Sequence, residues 1–317
     1  MQRESYARRR LPALLLAGLA ELAISGAASS APLEPLPTTE VAPGVFVYQA
    51  PYALLAPSNG GAIANLGFVV GRDAVAVIDT GNTREAGERL LAAVRARTAL
   101  PIRYVINTHM HPDHALGDGA FRDTGAKFVA HAKFARALQA RAESYREAAK
   151  RALGDSAEPG DVVLPDIAVS EPQSIDLGDR VLDLEPQPTA HTDNDLTIFD
   201  RSSGGWFLGD LLFLGHLPSI DGSLEGWVKV MAKARERRVA FVVPGHGPAS
   251  APWPKALEPQ QRYFDRLRSD VETLLDQGAD LREASEKAGL SERDAWALFD
   301  EFNARNAIAA YRELEWR

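Results

Sequence analysis

Three histidines and an aspartate fall within six consecutive positions, His109-Met110-His111-Pro112-Asp113-His114. Imidazole and carboxylate are the donors that divalent metals take where no thiolate is on offer, and this chain has no cysteine. The segment follows an apolar run, Tyr104-Val105-Ile106, that reads as a strand. Side chains two apart on a strand share a face, so His109 and His111 are expected to point together. Pro112 ends that strand and lets Asp113 and His114 point elsewhere. The stretch could therefore serve two metals, one on each side of the turn.

The same grammar recurs along the chain: an apolar strand, an abrupt polar or glycine-containing turn, then a residue able to hold a metal. Val75-Ala76-Val77-Ile78 runs into Asp79, Trp206-Phe207-Leu208-Gly209 into Asp210, and Val242-Val243-Pro244-Gly245 into His246. His191 sits in the polar loop Pro188–Asp195, ahead of a strand at Leu196–Phe199. The chain has seven histidines. His131 reads as a helix-start residue, and His216, six positions after Asp210, is a candidate to line a substrate pocket.

The elements that must carry these residues follow from periodicity. Two apolar runs around Gly71-Arg72-Asp73 predict a hairpin, and Asn82 with Glu85 resembles a capping box opening a helix over 83–98. Strand, helix and strand make a crossover whose carboxyl ends gather the site, as in α/β sheets. A long polar helix is expected over 131–153, a hairpin around Asp179-Arg180, a strand at 206–208 ending at Gly209-Asp210, and a helix over 224–237 capped by Ser223. From Pro252 the pattern turns helical, with Tyr263, Leu267, Val271 and Leu274 at helical spacing and further helices over 280–288 and 292–313.

Composition bounds the class. The chain has 317 residues, 45% of them hydrophobic and 25% charged, as in soluble globular proteins with a sizeable core. Its net charge of -8 argues against a nucleic-acid backbone or an anionic membrane as main partner. Arg8-Arg9-Arg10, the short apolar run Leu11–Ala20 and the small residues Ser25–Ala31 describe an export signal with cleavage near Ala28. Pro12 and Glu21 interrupt the run, so the mature chain is expected to have no stable membrane span and to be periplasmic. The expected organisation is a signal peptide over 1–28, a Pro-rich linker over 29–43, a catalytic-type domain over 44–250 and a helical extension over 251–317.

Taken together, Asp79, the 109–114 stretch, His191, Asp210 and His246, with their flanks, resemble the five motifs of the metallo-β-lactamase superfamily. The resemblance implies an α+β fold: a four-layer αββα sandwich with the site at one edge, followed here by the C-terminal helical extension. It implies a first metal on His109, His111 and His191, a second on Asp113, His114 and His246, and Asp210 bridging both. Asp79 would orient a ligand from outside, Asp113 would be the catalytic carboxylate, and the cofactors would be two zinc ions, with iron or manganese as substitutes. Lactam-cleaving members often carry Cys or Ser where this chain has Asp210, so the site looks more like the glyoxalase II type. Flavodiiron members replace the second histidine by an acid, which His111 is not. The flanks of Asp210, the stretch 218–227 and the ending Ala310–Trp316 are further similar to the quinoprotein relay system zinc metallohydrolases.

That second likeness implies a link to a periplasmic quinoprotein dehydrogenase system. The expected chemistry is hydrolysis of an ester, thioester or amide bond in a small-molecule substrate by an activated water, with no side-chain nucleophile. A glyoxalase II-like thioesterase or a β-lactamase is the nearest alternative. A periplasmic metal-binding accessory protein without turnover is the alternative of another class. The substrate pocket is expected from loops at 51–62, 133–170 and 211–226.

Overall fold

The computed structural model describes residues 33–154 and 160–316. The expected signal segment 1–28, with residues 29–32 of the expected linker, lies outside the described residues. The first sheet starts with β1 (Thr38–Ala42), β2 (Val45–Tyr48), β3 (Leu66–Val70) and β4 (Val75–Ile78), paired antiparallel in chain order. α1 (Arg84–Arg97) crosses over to β5 (Ile102–Ile106). The short α2 (Pro112–Ala115) and then β6 (Lys127–His131) follow, and α3 (Phe134–Leu153) leads toward β7 (Ile167–Val169). β4 to β7 are parallel, completing a seven-stranded mixed sheet in the order β1 to β7.

The second sheet has five strands: β8 (Gln173–Asp176), β9 (Val181–Pro186), β10 (Leu196–Asp200), β11 (Gly205–Phe213) and β12 (Phe241–His246). The first four pair antiparallel, and α4 (Leu224–Ala234) carries the chain from β11 to its parallel neighbour β12. α5 (Glu258–Asp276), α6 (Leu281–Lys287) and α7 (Phe299–Leu314) complete the chain.

Strand periodicity decides the layers. On β4, Ala76 and Ile78 face the second sheet, meeting Leu182, Leu184, Ile198 and Phe207. The alternate Val75 and Val77 face outward under Leu90 and Val94 of α1. Trp206, Leu208 and Leu211 on the far side of the second sheet pack against Trp227, Phe264 and Ala310 from α4, α5 and α7. The order of layers is helix, sheet, sheet, helix, and the C-terminal helices belong to the fourth. Arg180, in the β8–β9 turn, clasps the two sheets: it pairs with buried Asp200 at 2.5 Å and donates to the carbonyls of Pro43 and Val70 at 2.9 and 3.0 Å.

Several elements differ from the sequence reading. Residues 38–42, inside the expected linker, form the edge strand β1, whose backbone pairs antiparallel with β2 from Thr38 opposite Tyr48 to Ala42 opposite Val45. Leu36, also inside it, is buried, and its N–H donates to the Arg89 carbonyl. The cap of α1 is Thr83, whose side chain accepts from the Ala86 N–H, so Asn82 is freed for another surface. His131 closes β6 rather than opening a helix; its Nδ1 accepts from the Lys133 N–H. β11 does not stop at Gly209 but bulges there and runs on to Phe213, since Leu211, Leu212 and Phe213 are all buried. The last helix begins at Phe299 rather than near 292, after Leu298 in the left-handed region at φ 59°. Among the described residues no helix is long and apolar enough to cross a membrane.

Candidate metal centre

The strand that leads into the 109–114 stretch ends at Ile106, three residues earlier than its histidines need for a shared strand face. His109 and His111 therefore lie in a loop, and Pro112 opens α2, where its missing N–H costs nothing. The loop is pinned from the second sheet. The Leu196 N–H donates to the Thr108 carbonyl at 2.7 Å, and the Met110 N–H donates to Asn194 Oδ1 at 3.0 Å. Asp195 fixes the His191 loop by accepting from the Thr192 N–H and hydroxyl. Asn65 holds the His246 loop, donating its backbone N–H to the Gly245 carbonyl at 2.7 Å and its side-chain amide to the Pro244 carbonyl at 2.9 Å.

Glycine is required at two of these turns. Gly209 has φ +52°, and a Cβ there would lie 2.6 Å from the Thr108 Cβ. A Cβ at Gly245 would lie 1.9 Å from Asp210 Oδ1. The bare backbone is what lets Asp210 and His246 reach the loop that carries the other donors.

Seven side chains converge in two groups. His109, His111, His191 and Asp210 form one, Asp113, His114 and His246 the other, with the donor atoms of each group within 4.8 Å of one another. In the first, His109 Nε2, His111 Nδ1 and His191 Nε2 stand 2.9 to 3.2 Å apart. In the second, Asp113 Oδ2 is 3.4 Å from His246 Nε2 and 3.7 Å from His114 Nε2. Asp210 lies between them: Oδ2 is 3.3 Å from His191 and 3.5 Å from His246, while Oδ1 is 3.1 Å from His114 Nε2.

The outer nitrogens say which way the rings are set. His191 Nδ1 meets the Ser219 carbonyl at 2.7 Å, and His111 Nε2 meets Asp221 Oδ2 at 2.9 Å. Both partners only accept, so these outer nitrogens carry the protons and the inner ones present lone pairs. Asp79 organises two more, His114 and His109. Its Oδ2 accepts from His114 Nδ1 at 2.8 Å and from the Thr108 hydroxyl at 2.8 Å, and its Oδ1 accepts from the Thr108 N–H at 2.7 Å. The Thr108 oxygen is left to accept from His109 Nδ1 at 3.1 Å. Asp79 takes φ 58° to do this, a left-handed conformation that aspartate tolerates better than most residues.

Three imidazole lone pairs aimed at one point repel unless a cation sits among them. A tetrahedral ion with bonds of about 2.0–2.1 Å sets its ligand atoms about 3.3 Å apart, close to the spacing of the first group. His114 Nε2 and Asp210 Oδ1 are buried, unaligned with each other despite their proximity, and have no other hydrogen-bond partner. The cluster is suited to binding metal ions.

Its electrostatics point the same way. Burial opposes ionisation of every group here. Against that penalty, His114 and His246 hold the Asp210 and Asp113 carboxyls below the ordinary range. Asp210 and Asp113 in turn lift His114 well above the usual imidazole value, and His246 to about 9. Burial and the neighbouring positive rings depress His109, and burial with His111 brings His191 down to about 3. The buried Asp210 and Asp113 carboxylates thus favour positive charge beside them, which bound cations would supply.

A cavity of about 280 Å³ opens over the cluster, lined by His111, Asp113, His191, Asp210 and His246 among others. His216 lines it too, buried between His246 and Phe302 with ring centroids 4.7 and 5.2 Å away. Of the loops expected to form its walls, 51–62 contributes Leu54 and 211–226 contributes Ser219. The described residues of the 133–170 segment supply none of the lining side chains, but the segment reaches the centre indirectly, through Arg141 on Asp221.

Sequence reasoning missed four groups. Asp221 reads as a turn residue before a helix cap, yet it holds His111. Asn82 reads as a cap, yet it lines the cavity with a buried, unpartnered Oδ1. Phe302 and Arg305 complete the wall from α7. Only the Asp221-Gly222-Ser223 spacing beside the Asp210 motif offered a signal, and it fitted a turn equally well.

The metallo-beta-lactamase superfamily model matches residues 59–246, and the chain belongs to that superfamily. Most members are hydrolases. Its fold is also that of a metallo-beta-lactamase from Pontibacter korlensis, at TM-score 0.57 and 20% identity over 73% of this chain and 99% of that one. A metallo-beta-lactamase from Hirschia baltica aligns at TM-score 0.56 and 19% identity, over 73% of this chain and 98% of that one. The stereoselective inverting sec-alkylsulfatase Pisa1 from Pseudomonas sp. aligns at TM-score 0.67 and 17% identity over 88% of this chain, which spans about half (50%) of that enzyme's length. That share of this chain exceeds residues 1–250, so the match with the sulfatase extends into the C-terminal helices. No curated protein matches the chain.

Proposed function

We propose that this protein is an exported dinuclear zinc hydrolase that cleaves an ester, thioester or amide bond of a small molecule. The observation that carries the reading is the convergence of seven donor side chains in two groups, with Asp210 between them and the outer nitrogens of His111, His114 and His191 each held by an acceptor. His109, His111 and His191 would hold one ion, Asp113, His114 and His246 the other, and Asp210 both. Bound there, the ions supply Lewis acidity toward a substrate oxygen and a nucleophile from water near neutral pH.

The chain's own residues do the rest. Asp79 and Asp221 keep the His114 and His111 rings in one orientation and tautomer. Asp113, 15% exposed against 4% for Asp210, would orient the attacking water and hold its proton at the carboxylate. Trp227 and Phe213 pack on His191 at 5.1 and 5.7 Å and give the ring an apolar surround. No side-chain nucleophile is required.

Export to the periplasm and a link to a quinoprotein dehydrogenase system are part of this reading, supported by the sequence of residues 1–31 and the flanks of Asp210. Pisa1 is named for alkyl sulfates, so sulfate esters join thioesters, lactones and β-lactams as trial substrates. The test is elemental analysis of the purified protein, then turnover measurements on that panel. Two zinc equivalents with turnover, both lost in His111→Ala, are expected; full turnover by a metal-free His111→Ala protein would refute the reading. Tight binding to a dehydrogenase without any turnover would favour an accessory protein instead.

A further inference from the structure

The cavity's outer wall comes from α7, and the chemistry it presents differs from that of the floor. Asn306 fastens this helix to the loop beside the centre: its side chain accepts from the Ile220 N–H at 2.9 Å and donates to the Pro218 carbonyl at 2.6 Å. Ala307 and Ala310 sit in the apolar layer behind, fixing the face that the helix turns toward the cavity. That face offers Phe302 and, one turn on, Arg305, both lining the cavity. Leu54, 44% exposed, and Ile63 line it from the β2–β3 connection.

Arg305 is exposed, and among the described residues it has neither a hydrogen-bond nor an ion-pair partner. Arg141 and Arg136, near the same centre, are tied to Asp221 and Asp193. A guanidinium that faces a ligand cavity is a local attraction for an anion. Beside it, Phe302, Leu54 and Ile63 offer apolar surface. The cavity, about 280 Å³, is at the small end of ligand pockets.

We propose that the cavity selects a small anionic amphiphile, with its apolar body against Phe302, Leu54 and Ile63 and its charged group on Arg305, which makes α7 the specificity-determining element of the site. The proposal deepens the hydrolase reading by naming the substrate class, and rests on that reading only for the bond cleavage after binding. Binding itself needs no turnover. The charged group taken by Arg305 is one the reaction leaves unchanged, since the bond to be cleaved must reach the floor.

The test is calorimetric titration of the metal-loaded protein with 4-phenylbutyrate and with its neutral amide, in the wild type and in Arg305→Gln, Arg305→Lys and Phe302→Ala. The wild type is expected to prefer the carboxylate. Arg305→Gln should cut the carboxylate-to-amide affinity ratio by about tenfold, the worth of one charge-assisted contact, and Arg305→Lys should restore part of it. Phe302→Ala should weaken both probes alike. Thermal melting and metal content of the Arg305 variants report whether the fold and the centre are intact. An unchanged ratio in an intact Arg305→Gln protein would overturn the proposal, as would a wild type with no preference. If the Arg305-dependent ratio stands while no sulfate ester, thioester, lactone or β-lactam is turned over, the anion site holds and the hydrolase reading falls.

Discussion

Asp79→Asn is the substitution that tests the centre most sharply, because it changes hydrogen bonding while leaving shape almost untouched. Wild-type Asp79 accepts three hydrogen bonds, two of them on Oδ2 from His114 Nδ1 and the Thr108 hydroxyl. With the amide oxygen kept on the Thr108 N–H, the amide nitrogen faces two donors. His114 must then either hold N–H against N–H or move its proton to Nε2, the atom aimed at Asp210 and the second group. Losing one charge-assisted hydrogen bond to a buried ring costs about 1.5–3 kcal/mol, or about 10- to 150-fold in an equilibrium constant. Outer-shell partners of metal ligands are typically worth about 10- to 100-fold in affinity, which agrees. Competition titration with a chromophoric chelator should show one of two zinc equivalents weakened by about that factor and the other much less. Two equivalents bound as tightly as in the wild type would refute the assignment of His114 as a ligand oriented by Asp79.

Other outcomes stem from the same geometry. Gly209→Ala places a Cβ 2.6 Å from Thr108 in a left-handed turn, so urea denaturation should show a loss of about 2–4 kcal/mol, together with weaker metal uptake. Asp200→Asn leaves Arg180 unpaired at the joint between the sheets and should cost about 3 kcal/mol or more. Although burial opposes it, hydrogen bonding to Arg180 and Ser203 holds the Asp200 carboxyl below its ordinary value. Its contribution is therefore complete above a pH of about 4 and lost as pH falls through the lower folded value, so the gap between wild type and variant in urea should close in acid. Zinc added to chelator-stripped protein at about 100 times its dissociation constant should stabilise the fold by about 2.7 kcal/mol, raising Tm by several degrees; an unmoved melt would argue against a native metal site.

The donors were legible in the sequence because most stand just past an apolar strand, and four of the seven lie in one unbroken stretch. The layers were legible for a related reason: residues alternating on strands such as β4 must satisfy two different cores. What stayed hidden depends on approach through space. Asp221 looks like a turn former until α3 and the His111 ring arrive on either side of it. Helical spacing over 292–313 ran past the start of α7 because Leu298, in a left-handed turn, breaks the helix without a glycine or proline to announce it. β11 outran its reading because Gly209 marks a bulge within the strand, and glycine punctuates a bulge and a strand end alike. Phe302 and Arg305 carry no local sign at all, since only the docking of Asn306 on residues 218 and 220 turns them toward the cavity.

That docking also has a meaning in time. The last donor of the cluster is His246, whereas the wall bearing Phe302 and Arg305 emerges 56 to 59 residues later. At ordinary rates of synthesis that is an interval of about 3–12 s. A chain folding as it emerges could bring all seven donors together while the cavity still lacks its outer face. The centre would then be widest open to an incoming ion before it has acquired the means to choose a substrate, and the arrival of α7 would mark the passage from one task to the other.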